Sequence, residues 1–403
     1  MDLGLKSILG IALLSALMGC QDAPGTAVEF GDAERKQLGR LSPLGDVPPD
    51  PTNRFADDPN AARLGHWLFF DERLSLDGQV SCATCHVPTH AFSDPKSLAK
   101  GMGLGERHAP SLINVAYGRW FGWGGRADSL WMQALGPLEN PLELGGHRDL
   151  IADLFHDDPD LKRAYETTFG PLPDESGATA SDEVFVNVGK SIAAFERLLV
   201  RGNSRFDQFA AALASNRSDG IEALSDSEQR GLHLFLTRAN CTQCHMGPNF
   251  TDSEFHNTAA PPHPEGRRDD PGRFQGIAHV QSSEFKASGI YSDDRNGTTA
   301  NRVQHLVKSS DSFGAFKTPS LRNLAGRAPF MHQGQFEDLD AVLHFYDTRE
   351  GASVTSHHQE QVLAPLRLSP SELSDLHAFL GSLEGTALDP SLLVPPAGPS
   401  LSD

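Results

Sequence analysis

Apolar residues recur at helical spacing in several separated stretches of the chain, and strand-like alternation is scarce. The first stretch is Ala61-Ala62-Arg63-Leu64-Gly65-His66-Trp67-Leu68-Phe69-Phe70, broken by the polar run from Asp71 to Gly78. Short helices are predicted over Ser129 to Leu138, Asp149 to Phe155 and Leu161 to Phe169. The longest candidate runs from Ser181 to Val200 and carries Val184, Val186, Val188, Ile192, Phe195 and Leu198. Farther on, Ser225-Asp-Ser-Glu228 has the form of a capping box. There the serine hydroxyl and the glutamate three residues later satisfy backbone N–H groups at a helix start, so a helix is expected over Gln229 to Thr237. Leu339 to Tyr346 also reads as helix, and Ser369-Pro370-Ser371-Glu372 opens a last one running to about Leu383.

Between these stretches the pattern lapses. Gln21 to about Asn53 is rich in Gly, Pro and Asp and reads as a flexible tether; Pro261 to Asn301 reads as loop; the Pro- and Ser-rich tail after Gly385 reads as disordered. At the start, Lys6 precedes the apolar Ile8-Leu9-Gly10-Ile11-Ala12-Leu13-Leu14, which has the length of a secretory signal core and not of a membrane span. It runs into Leu17-Met18-Gly19-Cys20, which resembles a bacterial lipoprotein box with Cys20 as the lipidated residue. The expectation is therefore a periplasmic protein attached to a bacterial membrane by lipid. No later stretch is apolar enough to cross one.

The four remaining cysteines carry the chemistry. They form the same pentad twice, Cys82-Ala-Thr-Cys85-His86 and Cys241-Thr-Gln-Cys244-His245, with 155 residues between Cys85 and Cys241. Two thiols one helical turn apart can add to the two vinyl groups of one porphyrin while the next residue's imidazole reaches the iron, so each pentad reads as a c-type haem attachment site. A zinc ribbon joins its cysteine pairs through a much shorter loop and has no use for histidine in the fifth position both times. A redox dithiol would sit near a βαβ pattern, which is absent. Two covalently bound haem c groups are expected, with His86 and His245 as proximal ligands. The order helix, pentad, loop appears in each half, which suggests duplication of one cytochrome-like unit.

The fold expected is mainly α, with two cytochrome c-like domains that each hold one haem. The divisions are a signal peptide over 1–19, a tether over 20–53, domains over 54–220 and 221–386, and a tail over 387–403. The 403 residues suffice for two such domains. Hydrophobic residues at 38% are on the low side for a globular chain, which a large cofactor inside each core would explain. A formal charge of −19 argues against nucleic acid as a partner.

What separates a reactive haem from an electron carrier is the iron's sixth position. Trp120 to Glu143 is, by physics alone, an aromatic-rich turn and helix that a core could equally use. The stretch also resembles the segment of the bacterial diheme cytochrome c peroxidase and MauG family in which a Trp-Asp-Gly-Arg motif is followed by Gln ten residues after the Trp and Glu twenty after it. Trp123, Gly125, Arg126, Gln133 and Glu143 fall on that spacing. The resemblance implies that Trp123 relays electrons between the haems, that Gln133 orients hydrogen peroxide, and that Glu143 moves a proton between its oxygens. Glu139 is the rival acid; the prolines at 137 and 141 separate it from Glu143, and the family spacing favours Glu143.

In the second half, Lys317-Thr-Pro319-Ser-Leu321-Arg322-Asn323 and Ala328-Pro329-Phe330-Met331-His332-Gln333-Gly334 resemble the family's signature near the C-terminal haem. Fourteen residues past His332, where the peroxidases carry a ligating methionine, stands Tyr346, as in MauG and its nearer relatives. Phenolate oxygen favours ferric and higher oxidation states over thioether sulfur, so Tyr346 is the expected sixth ligand, with Met331 the alternative. Other positions depart from the family. Gly124 replaces the motif's Asp, and His108 and Arg327 replace two donors of the interdomain Ca2+, which leaves only backbone oxygens for that ion. His90, four residues past His86, is expected at solvent or a propionate.

The resemblance spans roughly residues 55 to 385. It implies an oxidoreductase that reacts with hydrogen peroxide at the N-terminal haem and passes oxidising equivalents through Trp123 to a His245/Tyr346-ligated haem. Its partner would be a small electron-donor protein or a protein whose side chains it oxidises. The alternative is a non-catalytic diheme electron carrier.

Overall fold

A computed structural model describes residues 28–174, 177, 179–353, 360 and 363–401. Its elements are α1 (Asp32–Leu41), α2 (Pro59–Phe70), α3 (Cys82–Cys85), α4 (Leu130–Glu139), α5 (Arg148–Asp157), α6 (Pro159–Phe169), α7 (Ala180–Glu196), α8 (Arg205–Ala214) and α9 (Asp226–Leu236). There follow α10 (Arg273–Ser282), α11 (Thr298–Gln304), α12 (Leu339–Thr348) and α13 (Pro370–Gly381). The strands among the described residues are the pair β1 (Phe255–His256) and β2 (Phe316–Lys317), antiparallel with Phe255 opposite Lys317. The protein is mainly helical.

Side-chain caps start the helices where the sequence pattern says they should. Asp58 accepts from the Asn60 and Ala61 amides at 2.8 and 3.0 Å ahead of Pro59. Ser225 with Glu228 and Ser369 with Glu372 close capping boxes on α9 and α13. In α4, Pro137 sits inside the helix; the chain leaves it only after Glu139.

Two large apolar cores form among the described residues. The first gathers Leu64, Leu68, Phe69, Phe92, Trp131, Val184, Phe185, Ile192 and Phe195; the second gathers Phe206, Leu232, Phe235, Phe250, Leu376 and Phe379. Their framework repeats. Helix α2 crosses α7 at Gly65, where a Cβ would lie 1.8 Å from the Ser191 carbonyl oxygen, and α9 crosses α13 at Gly231, 1.9 Å from that of Asp375. Only glycine allows backbones that close. Four residues on from each crossing position stand Phe69 and Phe195, their rings 5.2 Å apart, and Phe235 and Phe379, 5.1 Å apart.

Three segments differ from the sequence reading. The tether assigned to 20–53 contains α1, which buries Leu38 and Leu41 in the second core beside Phe30 just ahead of it; residues 1–27, with the signal segment and Cys20, lie outside the described residues. The region read as loop, 261–301, holds α10 and the start of α11. Val280, Phe285 and Val303 from this part of the chain complete the first core. The tail read as disordered packs Leu388, Leu392 and Leu393 on the first core, and Arg63 Nε donates to Gly398 O at 2.8 Å. Each carries too few apolar residues to form a periodic pattern alone, and each is ordered by tertiary burial. Among the described residues no helix is long and apolar enough to cross a membrane.

Candidate haem-binding site

The pentads sit in matching frames. Cys82 and Cys85 occupy one turn of α3 and so share a face; Cys241 lies in the short turn that follows α9. The next residue's imidazole is held from behind in both cases. His86 Nδ1 donates to Phe92 O at 3.2 Å and His245 Nδ1 to Phe250 O at 2.9 Å, a carbonyl being only an acceptor. The bond fixes the tautomer and leaves the Nε2 lone pair free for a metal. Burial pushes the pKa of both rings down, which favours the neutral, ligating form. Phe92 and Phe250 both adopt positive φ, 52° and 51°, to aim these carbonyls.

A continuous cavity of about 570 Å3 runs from Cys82, Cys85 and His86, past Trp123, to His245 and Tyr346. It falls in the size range of cofactor clefts. Gln133 and Glu143 both line it. The Gln133 Oε1 is buried with no hydrogen-bond partner, so a polar ligand is needed to satisfy it. Glu143 Oε1 accepts from Asn140 Nδ2 at 2.6 Å and lies 3.5 Å from Arg126 Nη2. Glu139 does not reach the cavity; it pairs at 3.0 Å with Arg148 on the outer surface.

Trp123 is anchored by its Nε1 donating to His108 O at 2.9 Å, and its ring stands edge-on to His332 at 6.5 Å. Its carbonyl accepts from the Lys317 amide, tying it to the second half. Gly124 has a physical reason here. A Cβ would come within 2.7 Å of Gly272 O, so the motif's Asp would not fit under α10.

Tyr346 and Met331 both line the far end of the cavity. Burial pushes the Tyr346 hydroxyl up to about 12, and the Arg349 guanidinium opposes this. Arg349 caps α12 with φ 62°, and its Nη1 is buried without a partner. His90 is half-buried and does not line the cavity; its Nε2 bonds Ala328 O at 2.6 Å across the two halves.

At the interdomain position that would hold Ca2+ the side chains of His108 and Arg327 offer no ligand to the ion. Both ring nitrogens of His108 are engaged, by Ser93 Oγ at 3.1 Å and Lys96 O at 3.0 Å, and the half-buried Arg327 guanidinium adds a positive charge that acts on the ring. Among the described residues the cluster with three metal-ligand side chains is Cys244, Asp252 and His256, which includes a pentad cysteine.

The cavity walls also hold groups the sequence reading missed. Lys317 and Arg327 line it, half-buried and without an ion pair among the described residues; desolvation in the cavity wall lowers them to about 8 and about 10. Two such cations suit the propionates of haem. Glu196, the last residue of α7, also lines it. A signal was available, since Val184, Val188, Ile192 and Glu196 form one i, i+4 stripe that is apolar except for its last member.

Comparison with known proteins identifies the family. A family profile described as di-haem cytochrome c peroxidase matches residues 59–215. The methylamine utilization protein MauG of Methylorubrum extorquens is 33% identical over 364 residues, 89% of each chain. The cytochrome-c peroxidase IdrP1 of Denitromonas iodatirespirans is 31% identical over 356 residues, 86% of this chain and 88% of that one. Among solved structures, a MauG-like protein associated with microbial copper homeostasis superposes with a TM-score of 0.65 at 25% identity, covering 87% of this chain and 96% of its own. The diheme peroxidase BthA from Burkholderia thailandensis gives 0.63 at 25%, covering 85% and 89%.

Proposed function

The chain belongs to the di-haem cytochrome c peroxidase family that includes MauG, and on that premise we propose that it reduces hydrogen peroxide at the His86 end of the cavity and draws electrons through Trp123 from the Tyr346 end. It is a diheme peroxidase-like enzyme, and the family implies haem c as cofactor. The observation that carries the finer reading is the single cavity joining His86, Gln133, Glu143, Trp123, His245 and Tyr346.

Haem, when bound, would supply iron that can exchange electrons with peroxide. Everything else falls to the chain. Cys82 and Cys85 would tether the first group and Cys241 and Cys244 the second, one beside each apolar core. His86 and His245 would offer Nε2 to the irons, and Tyr346 would offer its phenolic oxygen at the His245 end. Lys317 and Arg327 neutralise propionates. Gln133 Oε1 accepts the O–H of peroxide and sets its direction. Glu143 takes the proton from one peroxide oxygen and returns it to the other, which makes the departing oxygen leave as water. Asn140 holds the acid's Oε1, so the other oxygen stays free for that transfer. Trp123, fixed by His108 and edge-on to His332, is the conjugated ring between the two ends.

The electrons come from a small donor protein or from side chains of a partner protein. Tyr346 favours the second, because an oxygen ligand makes the C-terminal site a poorer store of reducing equivalents and a better one of oxidising equivalents. The signal segment and Cys20 support a lipid-anchored periplasmic location. Titration of the diferric holoprotein with hydrogen peroxide, followed by Mössbauer and near-infrared spectroscopy, tests the pathway. Changes in both iron environments per peroxide consumed are expected; a change confined to one removes the Trp123 connection.

A further inference from the structure

Glu196 is a carboxyl group with no task in the reaction as described. Its side chain is 7% exposed, its Oε2 has no hydrogen-bond partner, and it opens into the cavity close to Cys82. Next to burial itself, the Glu196 charge is what pushes the Cys82 thiol up most, whereas no carboxylate acts on Cys241.

The duplicated framework supplies an internal control. Phe195 of α7 corresponds to Phe379 of α13, so Glu196 corresponds to Leu380, which is 4% exposed in the second core. The same seat is apolar in the second core and acidic in the first. Packing alone is therefore satisfied by leucine, and the acid is an addition on the His86 side.

The groups facing this seat leave the acid without a counter-charge. From α2 comes His66, whose ring stacks on Phe195 at 4.5 Å and is kept neutral by burial. From α3 comes Cys82, and from the loop after α4 comes Glu143, another acid on the same cavity. Arg197, next along the chain, is turned to Asp57 at 2.6 Å. An unpaired carboxylate is costly in such a place, and burial pushes Glu196 up to about 8.

We propose that Glu196 is the proton-holding residue of the first haem's cavity. It would be a neutral acid while the neighbouring iron is ferrous, and it would give its proton to cavity water when that iron delivers one electron to hydrogen peroxide, the second electron coming from the Tyr346 end. One O–H bond breaks and one electron leaves, so the buried charge stays balanced. This rests on the reading of Cys82, Cys85 and His86 as a haem site.

The test is the midpoint potential of the first haem against pH in the holoprotein, compared with Glu196→Gln and Glu196→Leu. Rising pH ionises the acid, and its negative charge favours the oxidised iron. The wild-type potential should therefore fall with pH on both sides of about 8, and both variants should flatten that slope. The reduced-minus-oxidised infrared spectrum of the wild type should lose the carbonyl band of a protonated acid on oxidation. That measurement decides the matter should the variants fail to load haem. A pH-independent wild-type potential, an equal slope in the variants, or no acid band overturns the proposal. Absence of covalent haem from the wild type, read by pyridine haemochrome, would instead overturn the haem reading.

Discussion

Glu143→Gln isolates the proton from every other contribution of that side chain. The amide keeps an oxygen for Asn140 Nδ2 to bond at 2.6 Å and keeps the shape of the cavity wall. The contact with Arg126 at 3.5 Å joins two side chains that are each about one-third exposed, 33% and 32%, so its loss changes stability by about 1 kcal/mol at most. What disappears is the ability to take and return a proton, an effect worth roughly 10²- to 10⁴-fold in rate, or about 3–5 kcal/mol of activation free energy. Stopped-flow mixing of the diferric holoprotein with hydrogen peroxide should show that loss, with haem content and thermal midpoint close to wild type. The partner control is Glu139→Gln, whose carboxylate pairs with Arg148 outside the cavity and should leave the rate unchanged. A Glu143→Gln rate within about threefold of wild type would refute the reasoning and move the proton transfer to another group.

Tyr346→Met should raise the potential of the second haem by on the order of 0.1 V, a part of the roughly 0.8 V that axial ligands command; an unchanged redox titration would take Tyr346 off the iron. Trp123→Phe removes the bond to His108 O while keeping an aromatic ring. It should leave the initial reaction with peroxide intact and slow electron delivery from the second site by more than about tenfold, as single-turnover kinetics would read. Asp207→Asn should cost about 3–5 kcal/mol of stability by denaturant unfolding, because Asp207 accepts from both Arg322 nitrogens at 2.8 Å and the arginine is fully buried. Burial pushes the Asp207 carboxyl up, but the Arg322 bonds outweigh it and hold it below its usual 3.8. The stability it adds is thus present above that pH and is lost as pH falls below it, so the variant should show a weaker acid limb.

The parts of this molecule that sequence patterning reveals are those whose physics is local. The capping boxes at Ser225 and Ser369 place α9 and α13 because each is complete within four residues. The two pentads mark their own chemistry, and the spacing from Trp123 to Gln133 and Glu143 brings all three to one cavity. What escapes local reading is ordered by distant partners. Helix α1 has only Leu38 and Leu41 to bury, and it forms against a core assembled from the other end of the chain. Helix α10 lies against Trp123's loop through Gly276, where a Cβ would meet Gly124 O at 1.9 Å, a contact no periodicity announces. Glu196 and Arg349 matter through unpaired atoms, and a missing partner is visible only once the neighbours are in place.

The central claim is that the His86 side of the cavity leaves one iron open to an exogenous ligand beside Glu143 and Gln133, while the other is closed by Tyr346. Cyanide titration of the resting ferric holoprotein, followed by electron paramagnetic resonance, addresses it directly. The account predicts that one of two iron signals converts to a cyanide-bound form and the other does not respond. Two irons already saturated by protein ligands, unreactive before and after treatment with reductant or oxidant, would contradict it.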